Sequence, residues 1–343
     1  MNRTLSIPNR TRLAGCLALA ALLLAATGRT AAGQGATPPP WSGYVQTRFT
    51  DDYADVTGFS VRRAKLWIRG KAPAGAHWYY KVQSLFRYQN AGALVLQDVY
   101  AEYRRDAFTL RFGQQVPAFS LQRSRPDYRI PLIERARAVD ALIPAAETLA
   151  RDVGVQALWH TPDGRAHVAF GVFNGNGANR KGNENRHFLF THRAWYRAGG
   201  KALSVQIGYS LAYRRAGALA FRKILDPSAR FSGDDFRWGV DARLEAPHGR
   251  LQAEYLEARL GSDAARGWYA LAAFDVTPRD ELALSVDRYD DLVPETSDRP
   301  WFILGLNHFF AGHRVQASLD NRIRFRRNHT DIQTTAQLQL FFN

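Results

Sequence analysis

The chain is almost without sulfur: in 343 residues it has one Met, at position 1, and one Cys, at position 16. Nothing downstream of that cysteine can form a disulfide, offer a thiolate nucleophile or give a thiolate to a metal. Long apolar runs are missing too. Beyond residue 32 no segment approaches the roughly 20 consecutive apolar residues that a membrane-spanning helix needs. Nine histidines are present, but none stands in an HExxH spacing, and the aspartates show no calcium-loop pattern. Gly175-Asn176-Gly177 reads as a tight turn, because no Lys-Ser/Thr and no helix follow it. Helical periodicity is scarce throughout. These absences argue against metal, thiol and nucleotide chemistry, and no cofactor and no metal is expected.

The N-terminus indicates the compartment. MNRTLSIPNRTR has three arginines and no acid, LAGCLALAALLLAA is a compact apolar run, and TGRTAAGQG supplies small residues. This reads as a secretory signal peptide over 1–32, cut after Ala32. The run is too short to favour a membrane anchor. Leu13-Ala14-Gly15-Cys16 resembles a lipoprotein box but opens the apolar run instead of following it. Cleavage removes Arg3, Arg10, Arg12 and Arg29 and no acid, so the formal charge falls from +15 to +11 by losing four. A positive balance of that size concerns partners, not fold: nucleic acid, anionic lipid and small anions all fit it.

What is abundant is alternation at period two, in segments of about ten residues broken by turn signals. In ALSVQIGYSLAYRR (202–215), Leu203, Val205, Ile207, Tyr209, Leu211 and Tyr213 share one face and Ser204, Gln206, Gly208, Ser210 and Ala212 the other. A soluble sandwich alternates as well, so three further features matter. TPDG (161–164), RAGGK (197–201), APHG (246–249), TPRD (277–280) and AGH (311–313) are tight turns, whereas the stretches near 174–186, 215–233 and 290–300 are longer and polar. Aromatics gather near segment ends, as in Trp78-Tyr79-Tyr80, Trp195-Tyr196 and Trp268-Tyr269, where interfacial girdles sit. The polar face is often charged, which a soluble core penalises and a water-filled lumen solvates. The expected fold is an all-β transmembrane antiparallel barrel over 43–343, after a short linker at 33–42. It has sixteen strands, starting near residues 43, 60, 76, 94, 107, 149, 165, 187, 202, 234, 250, 266, 281, 301, 313 and 331. Sixteen strands leave room for an aqueous channel.

One gap breaks the rhythm. Residues 117–147 are rich in proline and arginine, too long for a hairpin and too apolar for disorder. They are expected to fold back into the barrel as a constriction loop, with a short helix near 132–142. Its five arginines stand against Asp127, Glu134 and Asp140, an excess of two before Glu147 is counted, and Glu134 or Asp140 is expected to anchor it to a wall arginine.

Four blocks carry a family resemblance: FSVRRAKLWIRGK (59–71), DVYAEYRRDAFTLRFGQQVPAF (98–119), IERARAVDALIP (133–144) with RDVGVQALW (151–159), and FGVFNGNG (170–177). The chain resembles the phosphate-selective porins O and P of Gram-negative outer membranes. The second half matches by rhythm alone, and the chain ends Phe342-Asn343 instead of on the aromatic. The resemblance implies a sixteen-stranded outer-membrane porin, usually a homotrimer, whose third long loop narrows a path for anions, phosphate in the named members.

Moving a hydrated oxyanion through a narrow pore requires donors that replace part of its water shell, and rings of Arg or Lys serve this. Arginine adds a fork that grips two oxygens and stays charged. Alternation turns Arg63, Lys65 and Arg69 inward on the second strand, Lys81 on the third, and Arg322 and Arg324 on the fifteenth; the loop adds Arg123, Arg125, Arg129, Arg135 and Arg137. For any one wall arginine, simple solvation of a polar lumen, or pairing with Asp98, Glu102, Asp241 or Asp320, explains its presence as well. The loop cluster stands out as the candidate binding set.

The reading is an anion-preferring outer-membrane channel for phosphate or related oxyanions, with outer-membrane lipid around it and no nucleic-acid partner. Its neighbour is a general porin for other small anions such as dicarboxylates. A rival of another class is a barrel enzyme acting on lipid through His192 with Ser204 or Ser210, which no spacing selects.

Overall fold

The computed structural model describes residues 41–73, 77–87, 93–183, 185–293 and 299–342. The signal peptide expected over 1–32 lies outside the described residues. So does the linker up to residue 40, while Trp41 and Ser42 already belong to the first strand. Sixteen antiparallel strands close into one barrel. They are β1 (Trp41–Asp51), β2 (Thr57–Lys71), β3 (Trp78–Arg87), β4 (Ala93–Arg105), β5 (Phe108–Gln115), β6 (Asp152–His160), β7 (Ala166–Phe173) and β8 (Leu189–Gly199). The second half is β9 (Ser204–Leu219), β10 (Phe231–Ala246), β11 (Gly249–Leu260), β12 (Asp263–Thr277), β13 (Asp280–Asp290), β14 (Trp301–Phe309), β15 (Val315–Phe325) and β16 (Thr330–Phe342). β1 pairs with β16, so each strand has two neighbours and no edge needs satisfying in lipid.

Alternation explains the wall. On β9, Ile207, Tyr209, Leu211 and Tyr213 are exposed outward while Gln206, Ser210, Ala212 and Arg214 are buried inward. Connections 106–107, 161–165, 200–203, 247–248, 278–279 and 310–314 are short and share one rim; 116–151, 174–188, 220–230 and 291–300 are long and share the other. Outer-membrane barrels place short turns in the periplasm and long loops outside.

The first of the four motif blocks, FSVRRAKLWIRGK (59–71), carries a register shift. Gln46 pairs with Arg63 but Thr47 pairs with Val61, so Arg62 is the extra residue of a β-bulge. The bulge returns Phe59 and Val61 to the outer face and leaves Arg62 and Arg63, consecutive in sequence, both reaching inward.

The segment between β5 and β6 lies inside the barrel. Its Phe119, Leu121, Leu132, Ala138, Val139 and Leu142 are buried. A helix, α1 (Arg137–Leu142), lies within the span where one is expected and packs on β11, β12 and β13. Two wall glycines make room for the segment. A Cβ on Gly267 would stand 2.7 Å from the Ala138 Cβ, and one on Gly305 would stand 2.6 Å from Leu132 Cδ2. Backbone donors fix the segment's path. Ser120 N donates to Ser210 Oγ (3.1 Å) and Gln122 N to Glu254 Oε1 (2.6 Å). Ile133 N donates to Asp320 Oδ2 (2.9 Å), and Asn307 Nδ2 to the Pro131 carbonyl (2.7 Å). The segment therefore touches β9, β11, β14 and β15, and it crosses the lumen.

Candidate functional site

Three guanidiniums converge on one loop carboxylate. Arg48 Nη1 and Arg62 Nε approach Glu134 Oε1 at 2.9 and 2.6 Å, and Arg63 Nη2 approaches Oε2 at 3.1 Å. Glu134 is thus the expected anchor, held by β1 and β2. Asp140 takes another role: it pairs with Lys223 Nζ (2.7 Å), in the 220–230 connection. Burial alone would raise the Glu134 carboxyl, but Arg63, Arg62 and Arg48 together hold it well below the usual carboxylate range.

A second anchor stands beside the first. Asp127 meets Lys65 Nζ at 2.5 Å and Arg135 Nη2 at 2.6 Å, with Arg63 Nε at 3.6 Å. Burial opposes its ionisation, and Lys65, Arg63 and Arg135 overcome that and hold it far below the ordinary value. Nearby, Asp98 joins Lys81 Nζ (2.6 Å) to Arg151 Nε (2.9 Å). The four wall acids foreseen as partners are all engaged. Besides Asp98, Glu102 pairs with Arg104 and Arg111, Asp241 takes both Nη atoms of Arg193 (2.7 and 3.1 Å), and Asp320 lies 4.0 Å from Arg322.

The other candidates divide. Arg137 Nε pairs with Asp287 (2.8 Å), and Arg324 Nε with Asp331 (2.6 Å) under the ring of Trp301. Arg123 donates from Nη2 to the Leu149 carbonyl (3.1 Å), while its buried Nε meets no acceptor. Arg125 lies 4.0 Å from Glu245. Arg129 is exposed, its guanidinium 5.6 Å from the Tyr128 ring centroid, and Arg69 is exposed near the short-turn rim, opposite Lys81 in register. So the loop arginines do not act as one set: Arg135 and Arg137 hold the loop in place, while Arg123 and Arg125 present donors beside it.

Two basic groups flank the crossing segment. On the β2–β4 side are Lys65, Lys81, Arg123, Arg135 and Arg151, five cations against Asp98 and Asp127. On the β8–β11 side, Arg125 faces Arg197, Arg243 and Arg250, four cations against Glu245 and Glu281. Here the buried Arg197 Nε and Arg243 Nε and Nη1 have no hydrogen-bond acceptor in the protein among the described residues. At the long-loop mouth, a cleft of about 380 Å³ is lined by Arg180, Arg214, Arg222, Arg230 and Arg237.

Several of these groups escaped the sequence reading. Arg62 escaped because a bulge cannot be placed by parity. Arg48, Arg193, Arg197 and Arg243 had a usable signal: each keeps step with inward polar residues, as Asp235, Arg237, Gly239, Asp241 and Arg243 do on β10. Arg151 fell just past the expected loop.

The enzyme alternative loses its geometry. His192 points outward, its Nε2 3.0 Å from Tyr209 Oη, whereas Ser210 Oγ points inward to Arg193 Nη1 (2.7 Å). No cluster of three potential metal ligands occurs among the described residues.

The fold is that of known porins. OmpF of Salmonella typhi, solved in complex with daunomycin, superposes with a TM-score of 0.61 at 13% identity, covering 88% of this chain and 97% of that one. OprB of Pseudomonas putida gives 0.59 at 13% identity, covering 88% and 93%. The outer-membrane channel DcaP of Acinetobacter baumannii gives 0.57 at 11%, covering 88% and 96%. A comparison with curated protein sequences finds no match. The sequence profile of one family spans 39–284, through all four motif blocks and on through β12. On that match the chain belongs to the phosphate-selective porin O and P family.

Proposed function

We propose that this porin forms an anion-preferring outer-membrane channel whose substrate is phosphate or a related oxyanion. The observation that carries the reading is that, among the described residues, buried guanidinium nitrogens on Arg123, Arg197 and Arg243 beside the crossing segment lack an acceptor, as does Arg48 Nε. A buried donor left unpaired costs about 1–3 kcal/mol, and an oxyanion arriving at these sites supplies the acceptors. Many of the other lumen arginines, among them Arg48, Arg63, Arg137, Arg151, Arg193, Arg214 and Arg237, are paired with carboxylates, which keeps total binding moderate. Conduction requires that, because an ion held too tightly does not leave. Export through the 1–32 signal peptide and assembly as a homotrimer belong to the same proposal. They are supported by the N-terminal composition and by the family.

The test is electrical. In a planar bilayer the reversal potential should report anion preference, and low phosphate should block chloride current. Arg243→Gln should weaken that block by about tenfold, the equivalent of one charge-assisted contact. Cation preference would sink the proposal. A dicarboxylate that blocks while phosphate does not would turn it to the second reading, which the two separated basic groups suit because each can hold one end of a dianion.

A further inference from the structure

The lumen wall also carries a pair of imidazoles. His160 ends β6 and His167 is the second residue of β7, on either side of the short 161–165 connection. The two are direct partners in register and both are half-buried. Parity turns them inward. His160 keeps step with Gln156, whose Oε1 accepts from Ala118 N of the crossing segment (2.8 Å), and His167 keeps step with the buried Phe173. The His160 N–H donates to the Ala107 carbonyl beside β5 (3.1 Å). Toward β7 the pair is therefore a non-hydrogen-bonded one, the kind whose side chains lie closest. The ring centroids are 5.4 Å apart. Two imidazoles sharing one zinc-sized ion, each nitrogen about 2.0–2.1 Å from it, place their centroids about 5 Å apart.

The turn fixes both rings. His160 Nδ1 lies 3.0 Å from the Thr161 carbonyl. A carbonyl only accepts, so Nδ1 carries the proton and Nε2 of the neutral ring keeps its lone pair. His167 has a hydrogen bond with the Gly164 backbone and stacks on Trp195, the centroids 3.9 Å apart and the planes 16° from parallel. Thr161 locks the turn itself: its carbonyl accepts from Gly164 N (2.8 Å) and its hydroxyl from Ala166 N (3.0 Å). Each ring thus spends one nitrogen on the backbone and keeps the other. A partner behind the imidazole is how metal-bound histidines are oriented.

The charged groups around the pair are mostly matched. Arg105 lies 3.9 Å from Asp106 in the 106–107 connection, Arg165 lies 3.7 Å from Asp163 within the turn, and Arg193 pairs with Asp241. Arg104 and Arg111 share Glu102, and Arg197 on β8 bonds Gln206. The surroundings are therefore positive on balance among the described residues. That opposes a bare dication and favours one that carries an anion. Two imidazoles leave coordination positions open for water or such an anion.

We propose that His160 and His167 form an exchangeable lumen site for a divalent first-row transition metal ion, copper(II) ahead of nickel(II) and zinc(II), with water or a permeating anion completing the coordination. Imidazole suits these ions, and copper(II) leads them in affinity. Calcium and magnesium take oxygen ligands instead.

The site does not depend on which anion permeates, and copper(II) is the probe. Purified protein in detergent would be titrated with copper(II) and read by electron paramagnetic resonance. The first equivalent should show splitting from two imidazole nitrogens. His160→Gln and His167→Gln should each reduce this to one nitrogen and weaken binding at least about tenfold. His313→Gln, at another short connection, should change neither. Excess calcium should not displace the copper. Heat-modifiable mobility on a gel reports that each variant is an assembled barrel. Absence of the two-nitrogen signal from the native protein, its survival in either single variant, its loss in His313→Gln, or displacement by calcium would each overturn the proposal.

Discussion

Glu134 shows how one side chain can hold a channel in shape. It is the common partner of Arg48, Arg62 and Arg63, which come from two strands. Glu134→Gln keeps the size and removes the charge, leaving Arg48 and Arg63 deep in the wall without their shared partner. Breaking a buried pair from one side costs on the order of 3 kcal/mol, and Arg62, the most exposed of the three, contributes least to that. We expect faster hydrogen exchange across 117–147 and noisier single-channel current; unchanged exchange would remove Glu134 as the anchor. Acid should act late on the same contact. Glu134 and Asp127 are both depressed in the folded state. Their stabilisation is therefore present above the unfolded carboxylate range near 4 and lost only as pH falls through the lower folded values. The current should stay quiet from pH 7 to about 4 and become noisy only below that. Noise beginning near pH 6 would contradict this pairing.

At the scale of elements, the strands were legible and the crossings between them were not. Strand starts follow from turn signals and parity, which are local, and each expected start falls within three residues of the observed one. The inward direction of Arg63, Lys65, Lys81, Arg322 and Arg324 follows from the same parity. Which carboxylate meets which arginine depends on where the loop crosses, and that is fixed by contacts such as Ile133 N to Asp320, 187 positions apart. The bulge at Arg62 is intermediate: parity betrays a slip near Val61 without naming the extra residue. It makes a sharp prediction. Deleting Arg62 restores regular pairing and should yield a barrel that still inserts, because no side chain changes face. Deleting Ser210 from the unbulged middle of β9 must turn half of that strand's apolar residues into the lumen, and should abolish assembly, read by heat-modifiable mobility on a gel. Equal outcomes would mean the bulge does not set the register. The α1 seat allows a similar test. Gly267→Val drives a side chain against the Ala138 Cβ and the Arg288 carbonyl, each 2.7 Å from a Cβ at this position, costs about 1–3 kcal/mol by overpacking, and should shift conductance by displacing α1.

For the whole molecule, the balance of field against contact decides how selectivity responds to salt. Residues 33–343 have a formal charge of +11 once four arginines of the 1–32 segment are removed from +15. Part of the positive charge lines the crossing segment in two groups, each with more cations than acids. A field from these groups reaches about 10 Å at 0.1 M salt and about 3 Å at 1 M. Across an aqueous lumen, the first distance spans much of the path and the second only the wall. The anion-to-cation permeability ratio, measured from reversal potentials, should therefore fall several-fold between dilute and molar chloride. In the function proposed above, phosphate block depends on N–H contacts at Arg243, Arg197 and Arg123, and would be far less exposed to screening. It should weaken much less over the same range. If both decline together, the guanidinium donors contribute nothing beyond their charge, and the pore is an electrostatic filter without an oxyanion site. If the ratio holds constant while block persists, the long-range field is irrelevant and selectivity lies wholly in the contacts around the crossing segment.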